Sequence, residues 1–146
     1  MIIYVDSSVL VTLIKREPTT ESVIAYLDDL VEDQHPLVAG QLVETEMRRV
    51  ASRFGIDQLA VLPVLERLNI VDHTPVDFRQ AGLLQTRELG TLDALHLATA
   101  IRTQANSMMT FDTQLARACG TLGLPVLDVH RPRTRPNLGE VLARGT

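Results

Sequence analysis

IIYVDSSVL, residues 2–10, is the stretch whose reading decides the fold. Residues 2–5 are a short apolar run of strand-forming side chains that ends at Asp6, and Ser7 or Ser8 opens a helical stretch to about Arg16. A buried strand thus hands over directly to a helix, with an acid at the junction. The same alternation repeats outward. Residues 19–31 form an amphipathic helix with Val23, Ile24, Leu27, Leu30 and Val31 at helical spacing, Pro36 breaks the chain, and 37–39 is a second strand. Helical periodicity returns over 41–54 and stops at Gly55; a further helix covers 57–68, and 69–74 is a third strand. Pro75 starts a helix to Leu89, before Gly90. Thr91 reads as the N-cap of the next helix, 107–110 as a fourth strand, Asp112 as the cap of a helix through Leu122, and 124–129 as a fifth strand. Strands alternating with helices of this length predict an α/β three-layer sandwich, with a five-stranded, mostly parallel sheet flanked by about seven helices. The strands are unbroken apolar runs, as expected when helices cover both sheet faces.

The 146 residues suffice for one domain with its own core. We divide them into a body, 1–130, and a basic, Pro/Arg-rich C-terminal tail, 131–146, whose RPRTRP segment reads as extended. A 45% hydrophobic and 22% charged composition excludes a disordered or collagen-like chain. Aromatics are 3% with no Trp, so the core is aliphatic, and a single-strand binder built on stacking platforms is disfavoured. Cys119 is the one cysteine, which rules out an internal disulfide and a Cys-based zinc site and fits a reducing cytoplasm. No apolar run is long enough to span a membrane, and the charges of the N-terminal segment follow its apolar run, unlike a signal peptide. The tail carries four Arg against one Glu, net +3, whereas residues 1–130 hold 10 basic and 17 acidic groups, net −7. An acidic body that handles phosphates needs divalent cations to neutralise its carboxylates.

In open parallel sheets the site forms outside the carboxyl ends of the strands. Asp6 follows the first strand, Glu44 and Glu46 open the helix after the second, Asp112 follows the fourth, and Asp93 opens the helix leading into the fourth. Each has a bland reading: a turn or cap for Asp6, a cap for Asp112, a dipole-favoured first turn for Asp93. The joint pattern resists it, because the Asp93 helix is apolar nearly all round and a charge there needs a partner or a metal. Glu44 reads as an exposed ion pair with Arg48 at i+4, whereas Glu46 lies along the buried margin, with Arg49 one turn on as a partner or phosphate contact. Carboxylates gathered at one edge call for a hard cation, Mg²⁺ or Mn²⁺, and suit in-line attack of water on a phosphodiester.

The chain resembles PIN-domain proteins, specifically VapC-type ribonuclease toxins of type II toxin–antitoxin systems. The resemblance rests on IIYVDSSVL, QLVETEMRR, TLDALHLATA and MTFDTQLARA, in that order, across residues 2 to about 118. It implies that Asp6, Glu46, Asp93 and Asp112 are the metal-binding and catalytic acids, with Ser8 and Thr110 as supporting hydroxyls. It further implies a Mg²⁺- or Mn²⁺-dependent endoribonuclease leaving 5′-phosphate and 3′-hydroxyl ends, a homodimer, an RNA substrate, a cognate VapB-type antitoxin, and strand order 3-2-1-4-5. One departure is Gln114, where the last motif usually carries Arg.

His96, one turn from Asp93, reads as a packed histidine on a buried helix rather than a general base, since the metal route needs none. Arg48, Arg49 and Arg53 line one helix as candidate contacts to RNA phosphate or an antitoxin carboxylate, or as a solvated face. Met47, Met108 and Met109 read as core. A receiver-type phosphorylation domain would need an acid pair after strand 1 and a Lys after the last strand, but Asp6 has no acidic neighbour and the only Lys is Lys15. An Asp-nucleophile phosphatase would want a second Asp where Ser8 stands. The alternative is a non-catalytic PIN-like binding module whose acidic cleft holds a protein or RNA partner.

Overall fold

The computed structural model describes residues 1–131 and 133. Strands β1 (Ile3–Val5), β2 (Leu37–Gly40), β3 (Asn69–Val71) and β4 (Ser107–Met109) form one parallel sheet in the order β3-β2-β1-β4. The α-helices among the described residues are α1 (Ser7–Leu10), α2 (Thr20–Glu32), α3 (Leu42–Phe54), α4 (Val61–Glu66), α5 (Pro75–Leu83), α6 (Thr91–Arg102) and α7 (Thr113–Thr121). The expected fifth strand contracts to a single bridge, Met108 to Val126, on the outer side of β4. Pro125 explains this: its carbonyl accepts from the Met108 N–H, but it has no N–H to extend the ladder. The order 3-2-1-4 therefore holds, with the fifth member reduced to an edge contact.

Side chains of β1 alternate across the sheet. Ile3 and Val5 join a core with Leu27, Leu30, Val43, Met47 and Val64 under α2, α3 and α4. Tyr4 turns the other way, into a second core with Leu97, Met108, Leu115 and Cys119 under α6 and α7. Met47, Met108 and Met109 are fully buried, as expected of core methionines.

Several boundaries move for local reasons. The first helix changes to a 3-10 turn over Val11–Leu13, where buried Thr12 donates its hydroxyl to the Val9 carbonyl and its own carbonyl accepts from Thr20. The third strand ends at Val71 because Thr74 and Asp77 form a reciprocal capping box on α5. α5 stops at Leu83, six residues short of Leu89; the chain becomes extended at Leu84, and both Leu84 and Leu89 pack against the second core. α6 is capped at Gly90, not Thr91. Of the tail, only Arg131 and Arg133 fall within the described residues, and the rest of 131–146 lies outside them. Arg133 reaches the outer face of α2, with Asp29 at 2.9 Å and Asp33 at 2.8 Å.

Candidate active site

Parallel strands that each feed a helix put the strand carboxyl ends and the helix starts on one edge. Asp6 follows β1, Glu46 lies in the second turn of α3, Asp93 in the first turn of α6, and Asp112 caps α7. Asp6 occupies the N-cap position of α1 but makes no capping bond with its side chain, so the capping alternative does not explain it. It is buried, at 3% exposure, and its Oδ2 accepts from Ser8 at 2.6 Å and from Thr110 at 2.8 Å. Ser8 Oγ in turn accepts from the Phe111 N–H, and Thr110 Oγ1 from the Asp112 N–H. These hydroxyls tie the first motif to the last across β1 and β4 and leave Oδ1 without a protein hydrogen bond among the described residues.

Asp112 does cap α7, but with Oδ1 alone, which accepts from the Leu115 N–H at 2.8 Å. Capping and a site role are thus compatible in one carboxylate. Asp93 has no hydrogen-bond partner among the described residues, and burial followed by repulsion from Asp6 and Asp112 pushes its carboxyl up to about 6. His96 opposes that rise, and Glu46 adds to it weakly. The acids therefore share one electrostatic neighbourhood.

Glu46 is held more tightly than its margin position predicts. Its Oε1 lies 2.5 Å from His96 Nε2, and its Oε2 accepts from Ser7 at 3.3 Å. Arg49 is not its partner; Arg49 is exposed and, like Arg53, has no ion pair among the described residues. Arg48 is committed to Glu44 at 3.0 Å and to Gln58 at 3.2 Å, which fulfils the expected Glu44 pair and removes Arg48 from the free cations of the helix. Glu46, Arg49 and Arg53 share one stripe of α3, since three and seven residues are close to whole numbers of turns.

The sequence did not reveal a group of residues behind Glu46. Tyr4, wholly buried, accepts the Gly40 N–H at 2.9 Å and faces His96 Nδ1 at 2.7 Å. His73 Nε2 accepts the Leu42 N–H at 3.1 Å and so caps the start of α3, where Gln41 makes no side-chain cap. The other His73 nitrogen faces Thr99 Oγ1 at 2.7 Å, and that hydroxyl donates to the Leu95 carbonyl. Gly40 makes room for both neighbours: a Cβ there would stand 2.1 Å from His73 Cε1 and 2.7 Å from the Tyr4 oxygen. The available signal was strand period, which places Tyr4 and Asp6 on the same face of β1.

Among the described residues, no three His, Cys, Asp or Glu side chains stand close enough together to hold a metal ion as they are. Asp6, Glu46 and Asp112 each satisfy part of their hydrogen bonding within the protein. The donor set still fits a hard divalent cation. It is all carboxylate and hydroxyl oxygen, and Asp93 carries the mark of uncompensated negative charge. A cleft opens between α3, α5 and α6; Thr45 and Leu92, sequence neighbours of Glu46 and Asp93, line it with His73, Phe78 and Arg87.

Comparison with known proteins identifies the family. The family model described as PIN domain matches residues 3–120. Ribonuclease VapC46 of Mycobacterium tuberculosis is 37% identical over 134 residues, covering 86% of this chain and 95% of that protein. Ribonuclease VapC35 of the same species is 31% identical over 130 residues, with 86% and 95% covered. In fold, the chain is similar to VapBC2 from Rickettsia felis bound to a DNA fragment from its promoter, with TM-score 0.69, 21% identity, and 87% and 98% covered. It is also similar to M. tuberculosis VapC20, a sarcin-ricin loop cleaving toxin, with TM-score 0.63, 18% identity, and 80% and 94% covered. With a family model spanning the body and relatives matching nearly their whole length, the chain belongs to the PIN-domain family.

Proposed function

We propose that the protein is a Mg²⁺- or Mn²⁺-dependent endoribonuclease acting as the toxin of a VapBC-type toxin–antitoxin pair. The observation that carries this is the placement of Asp6, Glu46, Asp93 and Asp112 at the strand ends and helix starts of one sheet edge, where Asp93 is half-buried and raised by burial and by Asp6 and Asp112. A cation beside such a group would stabilise its ionised form. The names of its relatives, ribonucleases VapC46 and VapC35, support RNA as the substrate.

In this reading Asp6, Glu46, Asp93 and Asp112 hold the cation. When bound, it would supply charge neutralisation and a lowered pKa for attacking water. Ser8 and Thr110 hold Asp6 through Oδ2 and leave Oδ1 to the cation. Arg49 and Arg53, on the Glu46 stripe, offer bidentate donors to RNA phosphates, whereas Arg48 is paired with Glu44. The VapBC complex among the structural neighbours suggests a VapB-type antitoxin as partner, and the neighbouring cleft, with exposed Phe78 and Leu92, offers it an apolar seat. A homodimer, a cytoplasmic location and a tail of residues 131–146 distinct from the nuclease body complete the proposal. No described helix is long and apolar enough to cross a membrane.

The test is cleavage of total bacterial RNA by purified protein in Mg²⁺ or Mn²⁺ against EDTA, with Asp6→Asn and Asp93→Asn alongside. Discrete fragments with 5′-phosphate ends, lost with EDTA and with either substitution, are expected. Cleavage that survives both substitutions would sink the assignment. RNA or antitoxin binding without cleavage would favour the binding-module alternative.

A further inference from the structure

We propose that Tyr4 and His96 form a buried positioning relay that aims Glu46 at the cation; this rests on the metal-dependent reading above. The relay runs from the Gly40 N–H to Tyr4 Oη, from the Tyr4 hydroxyl to His96 Nδ1, and from His96 Nε2–H to Glu46 Oε1. Its direction follows from proton counting. Glu46 as a carboxylate only accepts, so the hydrogen between it and the ring belongs to Nε2. The Tyr4 oxygen already accepts from Gly40, so its single proton points at Nδ1. The arrangement in which every buried proton finds an acceptor has hydrogen on Nε2 and none on Nδ1.

Core packing alone does not explain these residues. Tyr4 and His96 are both 0% exposed. Tyr4 sits between apolar Ile3 and Val5, and His96 among Ala94, Leu95, Leu97, Ala98 and Ala100 on α6. Phe and Leu would fill the same spaces without polar groups to satisfy. The polar groups instead form one chain that begins at a backbone amide of β2 and ends on a candidate metal acid. Ser7 takes the second oxygen of Glu46, so the carboxylate is oriented at both atoms. His73 serves the same end from another side: it caps the first residue of α3, the helix that carries Glu46, and packs edge-on against His96 with ring centroids 5.5 Å apart. Groups that hydrogen-bond a metal ligand from behind typically change metal affinity by 10–100-fold when removed.

The relay makes opposite predictions for two substitutions of similar size. In His96→Gln the side-chain amide can take the place of Nε2–H and still donate to Glu46. In His96→Asn the shorter amide reaches the Tyr4 side but leaves Glu46 without its donor. We would measure Mn²⁺ binding by calorimetry on folded, metal-free wild type, His96→Gln, His96→Asn and Tyr4→Phe, and the ¹⁵N shifts of the His96 ring in wild type at neutral pH. The expected result is an Nε2–H ring, Mn²⁺ affinity lowered about 10–100-fold in His96→Asn, and affinity within about threefold of wild type in His96→Gln, as retention of the donor requires. Tyr4→Phe should fall between them. If His96→Asn binds Mn²⁺ like wild type, or if the ring hydrogen is on Nδ1, the relay is overturned while the metal reading stands. If wild type binds no Mn²⁺ although its ring carries Nε2–H, the metal reading fails, and the positioning role fails with it.

Discussion

Asp93→Asn should stabilise the metal-free protein while abolishing its cleavage of RNA. The folded chain raises this carboxyl from 3.8 to about 6, first by burial and then by repulsion from Asp6 and Asp112. Each pKa unit corresponds to about 1.4 kcal/mol, so roughly two units place about 3 kcal/mol of strain on the ionised form. Asp93 is half-buried, and water reaching it screens part of this; about 1–3 kcal/mol is expected for the neutral isostere. The sign follows from linkage. A carboxyl with a raised native pKa binds its proton more tightly when folded, so wild-type stability falls as pH rises through the window from 3.8 to about 6. Urea unfolding in EDTA should therefore show Asp93→Asn ahead at pH 7.5 and level with wild type near pH 4. An unchanged or lower stability at pH 7.5, or a gain that does not depend on pH, would refute the idea that Asp93 bears uncompensated charge.

The remaining predictions concern the metal, the scaffold and the close contact at Gly40. Saturating Mg²⁺ should raise the melting temperature of wild type but not of Asp6→Asn, because an ion that binds only the native state stabilises by mass action; equal shifts by calorimetry would contradict the ligand set. Gly40→Ala should cost about 1–3 kcal/mol or more in urea unfolding, because its Cβ would meet two well-held rings; a wild-type curve would show that the rings can give way. Asp77→Ala should cost about 2–3 kcal/mol, since Asp77 is fully buried against Arg102 Nε at 2.7 Å and also closes the capping box of α5. Burial alone would raise the Asp77 carboxyl, but the Arg102 hydrogen bond and the Thr74 N–H outweigh it and hold the group below its usual range. Its contribution is therefore full above its unfolded value of 3.8 and fades as pH falls through the lower folded value, so the gap between wild type and Asp77→Ala should close in acid.

The alternation of strands and helices and the acids Asp6, Glu46, Asp93 and Asp112 near the strand carboxyl ends were legible because both follow from short-range patterns, namely short apolar runs and acids at or near helix starts, whereas the sheet order came from the family resemblance. The end of α5 was not, since leaving the helix at Leu84 gains burial for Leu84 and Leu89, and that gain depends on a core built by distant residues. The fifth strand was over-read because its apolar composition outweighed the missing N–H of Pro125. Helical angle separated Glu44, which pairs with Arg48, from Glu46, but Arg49 is not the partner of Glu46. Charge complementarity on one helix is visible in sequence, whereas a hydrogen bond from His96, fifty residues away on α6, is not. His96 was read as packing, and it is packed; what the pattern hid is that both its nitrogens are engaged.

The crowding around Gly40 also constrains how this core can drift over generations of substitution. A methyl at position 40 collides hardest with His73, at 2.1 Å, and less with the Tyr4 oxygen, at 2.7 Å. A smaller residue at 73 relieves the worse of these two collisions and leaves the one with Tyr4. Neighbours that share one space are non-additive, so Gly40→Ala with His73→Ala should be less harmful than the two separate losses combined. The contact distances thus couple positions 40 and 73, so that the cost of a side chain at one depends on the residue at the other.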